Sequence, residues 1–173
     1  GIDLAGVETR DSGICILDEE LKAKVFTLKS DDEIIDCIIK LRPDIIAIDA
    51  PLSLPFGRCC LKDTCSCRNK GHLRECDREL LRMKIKFFPI TLGPMRKLTE
   101  RGIRLKNMIE GRDFKVIEVY PGGAQDLFGI PRKQKGIENL RKGLMNIGIK
   151  GISEVTSDDE LDAITSALVG KMY

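Results

Sequence analysis

The order of hydrophobic patterns constrains this chain more than any single motif does. "GIDLAGVET", "SGICILDE" and "AKVFTLK" each read as a strand, and only short polar turns separate them. Links this short join antiparallel neighbours. "DDEIIDCIIKL" follows with Ile34, Ile35, Ile38 and Leu41 at helical spacing, and Pro43 closes it. "DIIAIDA" is then a brief apolar run ending near Asp49, the pattern of a strand buried on both faces.

Residues 51–93 break the rhythm, and the pattern resumes after them. Met95, Leu98, Gly102, Leu105 and Ile109 keep helical spacing. "FKVIEVYPGG" is a fifth strand with a proline-glycine stop, its "YPGG" reading as a turn. "QKGIENLRKGLMNIG" repeats the helical period through Ile137, Leu140, Leu144 and Ile147, and "SDDELDAITSALVG" forms a last helix. The sum, β-β-β-α-β-(insert)-α-β-α-α, predicts an α/β fold. Its mixed five-stranded sheet has three antiparallel strands followed by parallel ones, flanked by helices. The first and fourth strands fall side by side at the centre. At 173 residues the chain suits a single domain, 1–173, with 51–93 as a basic, Cys-rich insertion.

No apolar run reaches the roughly 18–20 residues a bilayer span requires, and no secretory leader precedes "GIDLAG", so a cytoplasmic address and no membrane partner are expected. Because the chain begins inside an apolar pattern, a few more residues of the first strand are expected upstream.

Acidic residues interrupt the apolar elements at telling places. Asp3 lies in the first strand, Asp49 ends the fourth, Glu118 sits in the fifth, and Asp159 and Asp162 ride the last helix. The last two are i,i+3 and share a face that Ala163, Ser166 and Gly170 continue, while Leu161, Ile164 and Leu168 lie opposite. Small residues let that face approach the strands. Several like charges brought together need cations, and hard carboxylate oxygens suit Mg²⁺ or Mn²⁺. Plainer readings exist for each acid. Ser157 with Glu160 is a capping-box pattern, Asp158 and Asp159 favour a helix's positive end, Asp49 can cap a turn, and Glu118 can pair with an arginine.

"GIDLAG", "IAIDAPLSLP", "RECDRELLR", "VIEVYPGGAQDLFGIPRKQKG" and "DELDAITSALVG" together resemble the family known as domain of unknown function 429, over nearly the whole chain. Its members are described as predicted nucleases of the RNase H-like fold. Asp on the first strand, an acid on the fourth and D-x-x-D-A on a final helix are, more distantly, similar to Holliday-junction resolvases. The resemblance implies that Asp3, Asp49, Asp159 and Asp162 occupy the metal-binding places; Glu118, which is not part of the usual quartet, is expected beside them as a fifth catalytic acid. The expected chemistry is two-metal hydrolysis of nucleic-acid phosphodiester bonds. A Lys or Arg of "PRKQK", Arg132 to Lys135, with Arg132 and Lys133 foremost, is a candidate to orient the phosphate, and a plain solvated surface is the other and commoner reading of those residues.

A basic middle, reaching from the insert into the helix after it, carries the charge asymmetry hidden in a net +2. Between Arg58 and Lys106 stand fourteen Lys/Arg against five Asp/Glu, which reads equally as the footprint of a polyanionic partner or as a plain solvated surface. Arg74, Arg78 and Arg82, four apart in the helical-looking "RECDRELLRMKIKFF", form a stripe suited to a phosphate backbone or to local pairing with Glu75 and Glu79. Phe87 and Phe88 are expected in the core. "CCLKDTCSCRNKGHLRECDRE" offers Cys59, Cys60, Cys65, Cys67, His72 and Cys76 as ligands for a structural zinc. Disulfides, free thiols and an iron–sulfur cluster are the other readings. Cys15 and Cys37 read as core residues.

The leading expectation is therefore a metal-dependent nuclease. Its rivals are a nucleic-acid-binding protein of the same fold without turnover, and an enzyme acting on a small phosphorylated substrate. The sequence holds no G-x-x-x-x-G-K-[ST] loop, so P-loop nucleotide hydrolysis is not expected.

Overall fold

A computed structural model describes residues 1–173. The opening alternation forms β1 (Ile2–Asp3), β2 (Ser12–Leu17) and β3 (Ala23–Leu28), followed by α1 (Asp31–Leu41) and β4 (Ile46–Asp49). The insert contributes a 3₁₀ turn at Ser66–Lys70 and α2 (Glu75–Arg82). Then come α3 (Gly93–Glu110), β5 (Val116–Val119), α4 (Pro121–Leu127), a 3₁₀ turn at Lys133–Lys135, α5 (Ile137–Asn146) and α6 (Asp158–Met172).

The five strands lie in the order β3-β2-β1-β4-β5, antiparallel across β3, β2 and β1 and parallel across β1, β4 and β5. The expected mixed sheet is present, with β1 and β4 adjacent at its centre. Their register pairs Ile2 with Ile48 and Asp3 with Asp49. Side chains alternate across a strand, so this register sends both isoleucines to one face and both aspartates to the other.

Each face has its own core. Ile2, Ile14 and Ile48 pack with Ile34 and Ile38 of α1 and with Leu105 and Ile109 of α3. On the other face, Cys15 and Ala23 pack with Leu140 and Leu144 of α5 and with Leu161 and Ile164 of α6. Burying a side chain of this size contributes up to about 1.5–3 kcal/mol.

Helix α6 is buried on nearly every side from Leu161 to Leu168, so the leucines and isoleucine opposite the aspartates meet α5 rather than water. Its close approach to the sheet needs Gly13 on β2, where a Cβ would overlap the Asp159 backbone. Capping boxes start both α1 and α6: Ser30 with Glu33, and Ser157 with Glu160. No helix is long and apolar enough to cross a membrane.

Two expectations need correction. "YPGG" is the start of a helix, not a turn, since Pro121 takes the first helical position, where its missing N–H costs nothing. In the insert, α2 stops at Arg82 and the backbone turns left-handed at Lys84, instead of running on toward Phe88. Phe88 is 70% exposed, and Leu81 and Met83 are exposed as well.

Candidate metal centres

Strand register and helix packing build the first site. Asp3 and Asp49 sit side by side on the α6 face of the central strands. Burial, then the Asp162 and Asp159 charges, pushes the Asp3 carboxyl up to about 8. Burial, then Asp3 and Asp162, pushes Asp49 well above the carboxylate range. Burial and Asp158 also raise Asp159. Acids far apart in sequence thus meet in one electrostatic neighbourhood, where keeping every carboxylate ionised is costly.

A lysine answers part of that cost. The Lys133 ammonium lies 2.9 Å from Asp162, 3.2 Å from Asp158 and 3.9 Å from Asp159. Burial opposes its charge, yet the hydrogen bond and charge of Asp162, with Asp3 and Asp158, outweigh burial and push its pKa upward. With this cation among them, no three of the acids bring ligand oxygens within 4.8 Å of one another. Lys133, expected to face nucleic acid, here faces the acids.

Gln125 is the residue that sequence reading missed. It is 1% exposed, and its Nε2 donates to Asp162 Oδ1 at 2.8 Å and to Thr165 Oγ1 at 3.2 Å. Two donors, Gln125 and Lys133, therefore hold the two oxygens of Asp162. The signal lay in "PGGAQDL", whose buried face becomes readable only once the segment is known to be α4.

Glu118 departs from the expected cluster. Its Oε2 accepts from Leu52 N at 2.7 Å and from Arg74 at 2.7 Å, so the arginine-pairing reading holds. It still adds its charge to the field on Asp49. Arg74 in turn is 7% exposed and grips both oxygens of Asp77, so it is not part of an exposed stripe. Arg82 pairs with Glu79 and Glu75. Arg132 is held by Asp126 and by the Tyr120 hydroxyl. Of the five basic candidates, only Arg78 is exposed with no ion pair or side-chain hydrogen bond.

The insert builds the second site within nine residues, 59–67. The Sγ atoms of Cys59, Cys60, Cys65 and Cys67 all lie within 4.8 Å of one another, placed to hold one metal ion such as zinc. His72 and Cys76 are outside this group; His72 is exposed and the Cys76 thiol lies 3.8 Å from Asp77. Hydrogen bonds from the Cys59 backbone and the Cys65 thiol push Cys67 down to about 6, while bonds to Cys67, Cys65 and Cys60 push Cys59 up to about 12. Cys15 is buried in the core as expected, and Cys37 is only half-buried.

Nothing among curated proteins or solved structures matches the chain. One family model does, along its whole length, residues 1–173, under the description "protein of unknown function (DUF429)". The expected kinship is thus met from end to end, insert included, and the chain belongs to the DUF429 family.

Proposed function

We propose that the protein is a divalent-metal-dependent nuclease with an RNase H-like core. The observation that carries this reading is the in-register pairing of Asp3 with Asp49 beneath the Asp159/Asp162 face of α6. A protein core rarely gathers like charges without a cation to neutralise them. Hard oxygen donors of this kind fit Mg²⁺ or Mn²⁺, and Asp3, Asp49, Asp159 and Asp162 would hold two ions. Such a pair lowers the pKa of an attacking water and stabilises the leaving oxygen. Gln125 donates to Asp162 Oδ1 and so would help hold that carboxylate in place as a ligand. Lys133, 2.9 Å from Asp162, would offer its charge to a phosphate entering beside the acids once metal took its place at that carboxylate.

The test is cleavage of labelled single strands, duplexes, hybrids and four-way junctions with and without Mn²⁺ or Mg²⁺. Metal-dependent cutting, absent in Asp162→Asn, is the expected result. A second reading, nucleic-acid binding without turnover, draws support from Lys133, whose ammonium already neutralises Asp162 at 2.9 Å. Binding without cutting under every metal condition would establish it.

A further inference from the structure

We propose that Cys59, Cys60, Cys65 and Cys67 bind a single zinc ion as a tetrathiolate, and that this ion is the staple that holds residues 56–73 in place. The spacing of the sulfurs is the first argument. Zn–S bonds of about 2.3 Å in a tetrahedron set sulfur–sulfur edges of about 3.8 Å. The Cys59–Cys65 and Cys60–Cys67 sulfurs stand 3.7 and 3.8 Å apart. A cluster of two or four irons spreads its thiolates around several metals and needs them farther apart than the 4.8 Å limit met here.

The second argument is what the segment lacks. Between Phe56 and Leu73 only Leu61 is buried. The backbone hydrogen bonds there are short-range turns, such as Cys65 N to Lys62 O, Arg68 N to Cys65 O and Gly71 N to Arg68 O. Arg96 of α3 also grips both oxygens of Asp63, but that pair is solvent-exposed and contributes little. One leucine and one such pair cannot offset the entropy of ordering the segment, and small coreless units are normally closed by a metal or disulfides. Adjacent side chains in extended chain point apart, yet Cys59 and Cys60 reach the same group. Arg58 braces the backbone there through the Cys60 and Gly71 carbonyls, and an ion at the sulfurs' shared focus would hold the thiols themselves together.

Charge supplies the third argument. Four thiolates around Zn²⁺ leave a net charge of −2, and Arg58, Lys62, Arg68 and Lys70 offset it against Asp63 alone. Zinc is preferred to a single iron because Cys59 is exposed, and an ion without redox chemistry survives there.

Elemental analysis of the purified protein tests the site, with one zinc per chain expected. Cys67→Ser and Cys59→Ser should lose the zinc, while Cys76→Ser and His72→Ala keep it in full. Chelation of the unaltered protein should speed tryptic cleavage after Lys62, Arg68 and Lys70 at least about tenfold, because cleavage follows the open population. The circular dichroism of the core should persist. Iron in place of zinc, two disulfides found by thiol titration, or zinc lost from Cys76→Ser would overturn the site. Unchanged cleavage after zinc removal would overturn the staple. None of these readouts depends on nuclease activity, so either proposal can fail alone.

Discussion

The carboxylate site and the cysteine site each gather four side chains, by opposite routes. Asp3, Asp49, Asp159 and Asp162 come from both ends of the chain and meet because two strands pair in register and α6 lies against them. Cys59, Cys60, Cys65 and Cys67 come from one loop and meet through local turns. The first group stands on elements anchored by two apolar cores and by Lys133. The second has one buried leucine beneath it. A site assembled by long-range packing keeps its shape without its ion, whereas one assembled locally depends on its ion for shape. Arg74 is a seam between them, joining the insert to Glu118, whose Oε2 also receives Leu52 N just beyond Asp49.

This contrast can be broken by experiment. The largest effect is expected from Asp162→Asn, which should remove metal-dependent cleavage altogether while circular dichroism stays native. Losing a residue that only supports a ligand costs about 10–100-fold, and a ligand itself costs more. Next, Arg74→Ala should destabilise the fold by about 3–5 kcal/mol in urea titration, because the buried Asp77 loses its partner. A loss confined to the insert, with Asp49 unaffected, would show that the two regions are not joined through this residue.

Gln125→Leu should weaken Mn²⁺ binding by about 10–100-fold in calorimetry, since Asp162 Oδ1 loses its donor. If affinity is unchanged, the acids are oriented by packing alone.

A graded effect is expected with pH in metal-free protein. Asp3 is pushed up to about 8 in the folded state and Asp49 is raised as well, so above about pH 4 the folded state holds extra protons, which Asp3 gives up as pH nears 8. Their contribution to stability is full below pH 4 and falls as pH rises toward 8. Lys133, shifted upward, stays charged in both states across this window and does not change the slope. Melting temperature should therefore decline over that range, and Mn²⁺ should flatten the decline. The smallest effects belong to exposed arginines. Arg82→Ala should leave melting unchanged, and Arg78→Ala should lower the salt slope of nucleic-acid binding by about one.

Much of the fold was legible because its signals are local and periodic. The strand patterns, the helical spacing of Ile34, Ile35 and Ile38, and the short links together imply the sheet order. Helix α4 was hidden because Pro-Gly-Gly resembles a stop, and with it went Gln125. Arg101 was invisible for another reason. Nothing in "ERGIRLK" marks it as buried, yet it is 2% exposed and bound to Asp31 and to the Ala5 and Lys29 carbonyls. Partners tens of residues away leave no trace in a local pattern.

The sequence alone determined the kinds of donor available, the elements that carry them, and the face of α6 that Asp159 and Asp162 share. Those are properties of spacing, and spacing is written in the chain. Only the tertiary structure decided that Asp3 meets Asp49, that Lys133 turns inward to Asp162, and that four of six candidate ligands in the insert converge while His72 and Cys76 do not. Whether a charged side chain pairs inward or faces water depends on what packing places beside it, and burial then sets the cost of leaving it unpaired.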